Sequence, residues 1–284
     1  MKKLFNFMLV ALAACGISCS NLGDENTMPG NGGNDNNDNS GDTNVTTTFV
    51  VEVSDITPLG AYVSVTPSDN ATTYYFDVVS KEEMGKYVDA KALAKVMISN
   101  LKEYCESYEQ TLADVLSKGV DGYNYISYFT PNTEYYALAF GVDADGMITT
   151  GVTTEPFTTL EEVVDASMTF DVKVTDITSN GALVLITPSN NNAIYYFDVV
   201  TKEKLDEYPD TKEYAERLIK VIKEPYDFYG KPFVVVLSAG AVAYQFEAGR
   251  LAPNTEYYAI AFGVTTAGKV TTDVTTVPFK TSVQ

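Results

Sequence analysis

The chain has 284 residues, no histidine, no tryptophan, 20 tyrosines and a formal net charge of −19. Without histidine it cannot build a Ser-His-Asp or Cys-His site, and the usual zinc and non-haem iron ligand sets are missing. The negative charge opposes binding to nucleic acid or to an anionic membrane surface and serves solubility.

Lys2 and Lys3 precede an apolar run from Leu4 to Ala14. That run is too short to span a bilayer as a lasting helix and the right size for the core of a secretory signal. Cys15 and Cys19 close it, behind Ala13-Ala14 and Ser18 respectively. The pattern resembles the lipobox of bacterial lipoproteins, in which the cysteine is diacylated on sulfur and becomes the mature N-terminus. Leu12-Ala13-Ala14-Cys15-Gly16 fits the general lipobox better, whereas Ile17-Ser18-Cys19-Ser20 leaves a more usual signal length and is similar to the ends of Gram-negative surface lipoproteins. Cys19 is the preferred lipidation site and Cys15 the alternative, with residues 1–19 as the signal. The resemblance implies an outer-membrane lipoprotein of the cell envelope, surface-exposed and held to the membrane by acyl chains.

Residues 20–45 are rich in Asn, Asp and Gly, and Gly30 to Asp42 is nearly free of apolar groups. Such a segment cannot offset the entropy of ordering, so it is predicted to be a disordered tether. Asp35, Asn37, Asn39 and Gly41 are superficially similar to the start of a calcium-binding EF-hand loop. The glycine stands one place late, Ser40 holds its position, and Thr46 replaces the glutamate that such a loop needs.

Beyond the tether one unit is used twice. Pro131 to Val142 reads PNTEYYALAFGV and Pro253 to Val264 reads PNTEYYAIAFGV, while YYFDVV occurs at Tyr74 to Val79 and at Tyr195 to Val200. Phe49 and Phe170 are 121 positions apart, Pro131 and Pro253 are 122 apart, so the second copy gains one residue, placed near Arg250. The register predicts a first domain at 46–159, an acidic connector at 160–166 and a second domain at 167–284. Each is of ordinary size for a domain with its own core, and the connector is too brief to let them move far apart.

Within the first copy, Phe49 to Val53, Ala61 to Val65, Thr73 to Val79, Tyr135 to Val142 and Val152 to Thr158 carry the β-branched, aromatic and alternating signature of strands. Pro58-Leu59-Gly60 reads as turn material, and Asp143 to Gly146 as a hairpin turn whose counterpart is Thr265 to Gly268. Phe129, Pro131, Thr133 and Tyr135 alternate into the penultimate of these strands, as Leu251, Pro253, Thr255 and Tyr257 do in the second copy. This spacing resembles the fibronectin type III family, a set of immunoglobulin-like β-sandwiches. The resemblance implies that Tyr135 and Tyr257 form tyrosine corners, structural rather than catalytic. The family's core tryptophan would fall near Val65 and Ile186 and is absent.

The middle of each copy departs from that family. Leu93, Met97, Leu101, Tyr104, Cys105 and Tyr108 fall at helical steps within Asp89 to Tyr108. In the second copy Asp210 with Glu213 reads as a capping box, and Tyr214, Leu218, Ile219 and Ile222 continue the stripe until Pro225 ends it. Tyr135 to Phe140 is apolar on both faces, so each helix is predicted to cover the outer face of the sheet holding the third strand and the strand that begins at Tyr135. The expected fold is mainly β with helical insertions: two tandem fibronectin type III-like sandwiches, each with an amphipathic helix between the third strand and the tyrosine-corner strand.

Cys105 reads as a small core residue. Asp77 and Asp198 recur amid YYF and VV and are expected to bond within their own fold rather than act as a paired-carboxylate hydrolase site. Tyr123, Tyr125 and Tyr128, against Tyr244 and Phe246, are expected to be sheet residues rather than a ligand platform. No catalytic, metal or cofactor site is predicted. The function expected is a non-catalytic, lipid-anchored binding, adhesion or spacer module with an unknown protein or glycan partner and no nucleic acid. Its alternative is a glycan-binding accessory lipoprotein.

Overall fold

A computed structural model describes residues 46–247 and 249–283. The signal, both candidate lipidation cysteines, the tether and the calcium-like loop lie outside the described residues.

The first repeat begins with β1 (Phe49–Ser54), β2 (Ala61–Pro67) and β3 (Thr73–Ser80). Three helices follow, α1 (Lys81–Met84), α2 (Ala90–Ser107) and α3 (Leu112–Val115). It closes with β4 (Ser117–Lys118), β5 (Asp121–Tyr125), β6 (Glu134–Gly141) and β7 (Thr153–Thr158). The strands form two antiparallel sheets, in the orders β1-β2-β5 and β4-β3-β6-β7. Alternation in β2 sends Ala61, Val63 and Val65 inward and Tyr62, Ser64 and Thr66 toward solvent. Across the gap they meet Tyr74, Phe76 and Val78 of β3 and Ala137 and Ala139 of β6 in one buried core, which makes the pair of sheets a sandwich.

The second repeat runs through β8 (Phe170–Thr175), β9 (Ala182–Pro188) and β10 (Ile194–Thr201), then α4 (Lys202–Asp206) and α5 (Thr211–Phe228). A 3-10 turn at Phe233–Val236 leads to β11 (Ser238–Ala239), β12 (Val242–Phe246), β13 (Glu256–Gly263) and β14 (Thr275–Lys280). Its sheets are β12-β9-β8 and β11-β10-β13-β14, closing over Val172, Val184, Ile186, Tyr195, Ala259 and Ala261. The two-residue strands β4 and β11 have no periodicity to announce them in sequence.

The doubly apolar β6 has its partner. Leu138 and Phe140 are fully buried in a cluster with Leu93, Met97, Ile98, Leu101 and Cys105 of α2, while Tyr136 is half-buried. Asp89 starts this helix by accepting the Ala92 N–H at 2.7 Å. In the second repeat Ile260 and Phe262 of β13 meet Tyr214, Ala215 and Ile219 of α5 in the same way. Cys105 is buried among the helix-layer residues, and that burial pushes its thiol pKa up, away from the reactive thiolate.

Two details of α5 differ from the sequence reading. The Asp210 carboxylate takes the N–H of Lys212 at 2.9 Å rather than that of Glu213. Pro225 does not end the helix, which continues to Phe228. An interior proline costs a helix roughly 3 kcal/mol. Here the turn beyond it seats Tyr226 on Phe233 with ring centroids 6.1 Å apart, and the Pro225 carbonyl still receives the Tyr229 N–H at 3.0 Å. Tertiary packing therefore outweighs the local signal.

Candidate functional site: repeated carboxylates and the inter-repeat junction

Asp77 lies on β3 opposite Leu138 and is 1 % exposed. Its carboxylate accepts from the Tyr75 hydroxyl at 2.8 Å, the Tyr125 hydroxyl at 3.2 Å and the Val78 N–H at 2.8 Å. Burial raises its pKa to about 6, against the three hydrogen bonds, which favour the anion. The same burial, with the carboxylate alongside, pushes the Tyr75 and Tyr125 hydroxyls well above the usual phenol range.

Asp198 repeats the arrangement with one partner fewer. It accepts from the Tyr196 hydroxyl at 3.0 Å and the Val199 N–H at 2.8 Å, and is half-buried. Phe246 stands where the first repeat has Tyr125, so the second phenol is missing. Burial again raises the carboxyl pKa, offset by the two hydrogen bonds and by the charge of Arg250. Each carboxylate is thus engaged inside its own repeat, and the two do not share a cleft as a glycosidase pair must. Among the described residues no cluster of His, Cys, Asp and Glu has the form of a metal site.

The candidate tyrosine-corner residues sit in matching places. The Tyr135 hydroxyl accepts the Thr130 N–H at 2.9 Å, and the Tyr257 hydroxyl accepts the Ala252 N–H at 2.8 Å. Thr133 and Thr255 each donate their hydroxyl to the carbonyl of Pro131 and Pro253, both at 2.9 Å. Tyr125 is buried, with ring centroids 4.8 Å from Tyr123, 5.5 Å from Tyr128 and 5.6 Å from Phe129. Tyr244, 43 % exposed, packs edge-on to Phe197 and Phe246. These rings fill a sandwich edge and do not form an exposed row.

The junction between the repeats is closed by a residue the sequence presents only as part of a turn. Leu59 is fully buried, and it belongs to the helix-side cluster of the second repeat, with Phe233, Leu237, Ala239 and Ile260. Ile126 packs against the second repeat's sandwich core, and the Ser127 hydroxyl donates to the Leu237 carbonyl. The signal was available: the turn reads Thr57-Pro58-Leu59-Gly60 in the first copy and Thr178-Ser179-Asn180-Gly181 in the second, so a leucine stands where the other copy has an asparagine.

The connector is bonded along its length. The Glu162 carboxylate accepts the Thr266 N–H at 2.8 Å and the Thr266 hydroxyl at 2.6 Å. Val163 forms a parallel bridge with Ala193, and Asp165 accepts from Asn190 at 3.0 Å. Asp143 and Asp145 of the first hairpin turn are replaced by Thr265 and Ala267 in the second. Retained acids there would repel Glu162. Beside the seam a cleft of about 480 Å³ is lined by Tyr62, Asn124 and Ile126 from one repeat and Asn191, Asn192 and Gly240 from the other. No helix of the described residues is long and apolar enough to cross a membrane.

No family model and no curated protein matches the chain. Among solved structures it is similar to the central fibronectin-III array of RIM-binding protein, at 10 % identity and TM-score 0.23, covering 86 % of this chain and 71 % of that one. It is also similar to a two fibronectin type-III domain segment from chicken tenascin, at 13 % identity and TM-score 0.22, covering 82 % of this chain and 98 % of that one. At these scores the likeness is loose, and the sandwich rests on the strand pairing and shared cores described above.

Proposed function

We propose that the chain is a non-catalytic, lipid-anchored cell-envelope protein that acts as a rigid binding or spacer module. In this reading residues 1–19 are a lipoprotein signal acylated at Cys19, or at Cys15, and residues 20–45 are a tether that lifts the rest from the membrane. Residues 46–159 and 167–284 are tandem fibronectin type III-like domains, each carrying a helical insert, joined by 160–166, with Tyr135 and Tyr257 as tyrosine corners. The single observation that carries it is Leu59: one repeat's turn is fully buried in the other's helix layer, so the tandem presents one fixed surface rather than two independent ones.

Non-catalytic action is supported by where the carboxylates are spent, each on its own sheet edge with tyrosine and backbone donors. The second reading, a glycan-binding accessory lipoprotein, draws support from the seam cleft, where Asn124, Asn191 and Asn192 offer amide hydrogen bonds beside the rings of Tyr62 and Tyr125 and the carboxylate of Asp55, without a basic side chain. That lining would suit a neutral saccharide. A panel of polysaccharides and peptides incubated with the purified chain tests both. Absence of turnover is expected throughout, retention on a neutral glycan would favour the second reading, and turnover of any member would overturn the proposal.

A further inference from the structure

The four-stranded sheet of each repeat has an edge that its neighbour strand leaves bare. β11 pairs only with Ile194 and Tyr195, whereas β13 accompanies β10 from Tyr195 to Thr201. Beyond Tyr195 no described strand lies on that side. Ile194 turns its carbonyl toward Val264, bonded at 3.1 Å, at the β13 end of the pairing. By alternation along an antiparallel ladder, Tyr195 turns its backbone groups the other way, toward β11, and Phe197, Val199 and Thr201 turn theirs toward the open edge beyond it. Such a row is a template for another strand.

The outward N–H of Val199 is not left free. It is taken at 2.8 Å by the carboxylate of the residue before it, Asp198, whose other oxygen is held by the Tyr196 hydroxyl at 3.0 Å. The same bond occurs in the first repeat, where Asp77 takes the Val78 N–H. There, however, Tyr125 covers the carboxylate and the edge at Phe76, Asp77 and Val78 is buried, whereas Phe197, Asp198 and Val199 remain partly exposed. The opposite edges of the same sheets, β7 and β14, carry Pro156 and Pro278 at matching positions. Proline lacks the donor that strand addition needs, so it suits an edge strand. Both edges of each four-stranded sheet therefore carry a recurring device that limits backbone pairing.

We propose that Asp198 guards the β10 edge against strand addition by a second copy of this chain. A second copy is the occupant because β10 can pair antiparallel with itself about a two-fold axis, each copy supplying the same edge. In that pairing the guard acts twice: it occupies the Val199 donor, and it places two buried-side carboxylates near one another across the axis. The first repeat does not share the exposure and is not expected to pair this way.

The test uses the full-length chain with Cys15→Ser and Cys19→Ser, so that no acyl chain contributes to association. Asp198→Ala is expected to form a concentration-dependent dimer at least tenfold tighter than the parent by sedimentation, with the Phe197 and Val199 amides gaining hydrogen-exchange protection as dimer forms. A folded Asp198→Ala chain that stays monomeric, or a dimer in which those amides exchange as in the monomer, overturns the proposal. Should Asp198→Ala fail to fold, Asp198→Asn decides, since it keeps an acceptor oxygen. It is expected to stay monomeric with Val199 still protected, and a dimer or a fast-exchanging Val199 amide in the folded protein overturns the proposal.

Discussion

The two repeats share a register and part company where they meet each other. In the first, Asp77 is sealed by two phenols and the Thr57 to Gly60 turn is apolar; in the second, Asp198 has one phenol and the matching turn is polar. The difference between the turns goes with position. The first repeat's turn is buried in its neighbour, and the matching turn of the second repeat is polar. Duplication supplied the fold twice, and the departures from identity record what each copy touches.

The sharpest way to break the comparison is at the carboxylates. Asp77→Ala leaves the Tyr75 and Tyr125 hydroxyls and the Val78 N–H without their acceptor in a buried site, an expected loss of about 3–5 kcal/mol. The corresponding loss for Asp198→Ala, with fewer partners and more water, is about 1–2 kcal/mol. Denaturant unfolding monitored separately for each repeat by amide exchange measures both. Equal losses would show that burial does not distinguish the two sites.

Acidification gives the next largest effect, and its sign is unusual for an aspartate. The folded-state pKa of Asp77 is raised to about 6 from 3.8, so the folded first repeat holds a proton that the unfolded chain has released between those values. Its contribution is fully present below pH 3.8 and is lost as pH rises through about 6. A shift of this size corresponds to up to about 3 kcal/mol. Unfolding of the parent and of Asp77→Asn compared from pH 7.5 to 4.5 isolates it. The parent is expected to gain stability relative to the variant on acidification, and a constant difference would contradict the assignment.

At the junction, Leu59→Ala removes a fully buried side chain from the second repeat's cluster and is expected to cost about 2–3 kcal/mol of coupling. The readout is whether the two repeats still unfold in one transition. Glu162→Gln, which keeps the geometry but weakens the charge-assisted bonds to Thr266, is expected to cost about 1 kcal/mol in the same measurement. A larger effect from Glu162 than from Leu59 would make the connector, not the turn, the principal lock.

Much of this was legible in the chain itself because repetition is a long-range signal. PNTEYYA at two places defined a unit, and the apolar run on both faces of Tyr135 to Phe140 implied a covering layer, which α2 supplies in the structure. Short-range reasoning failed where tertiary contacts decide. Pro225 reads as a helix end, yet the packing of Tyr226 on Phe233 carries α5 past it. Leu59 reads as a turn residue by any local pattern, and only its contrast with Asn180 in the second copy marks it. Asp77 and Asp198 recur visibly, but their bonds to the following amide belong to three-dimensional edge geometry and have no one-dimensional signature.

The measurement closest to the central claim is the distance distribution between labels placed on exposed sites of the two repeats, Lys91 on α2 and Lys220 on α5, each replaced by cysteine in chains lacking Cys15 and Cys19, with Cys105 left buried. A tandem locked by Leu59, Ile126 and Glu162 gives a single narrow distribution that broadens in Leu59→Ala. A broad distribution in the parent, unchanged by that substitution, would mean that the repeats move independently and that the rigid-module account is wrong.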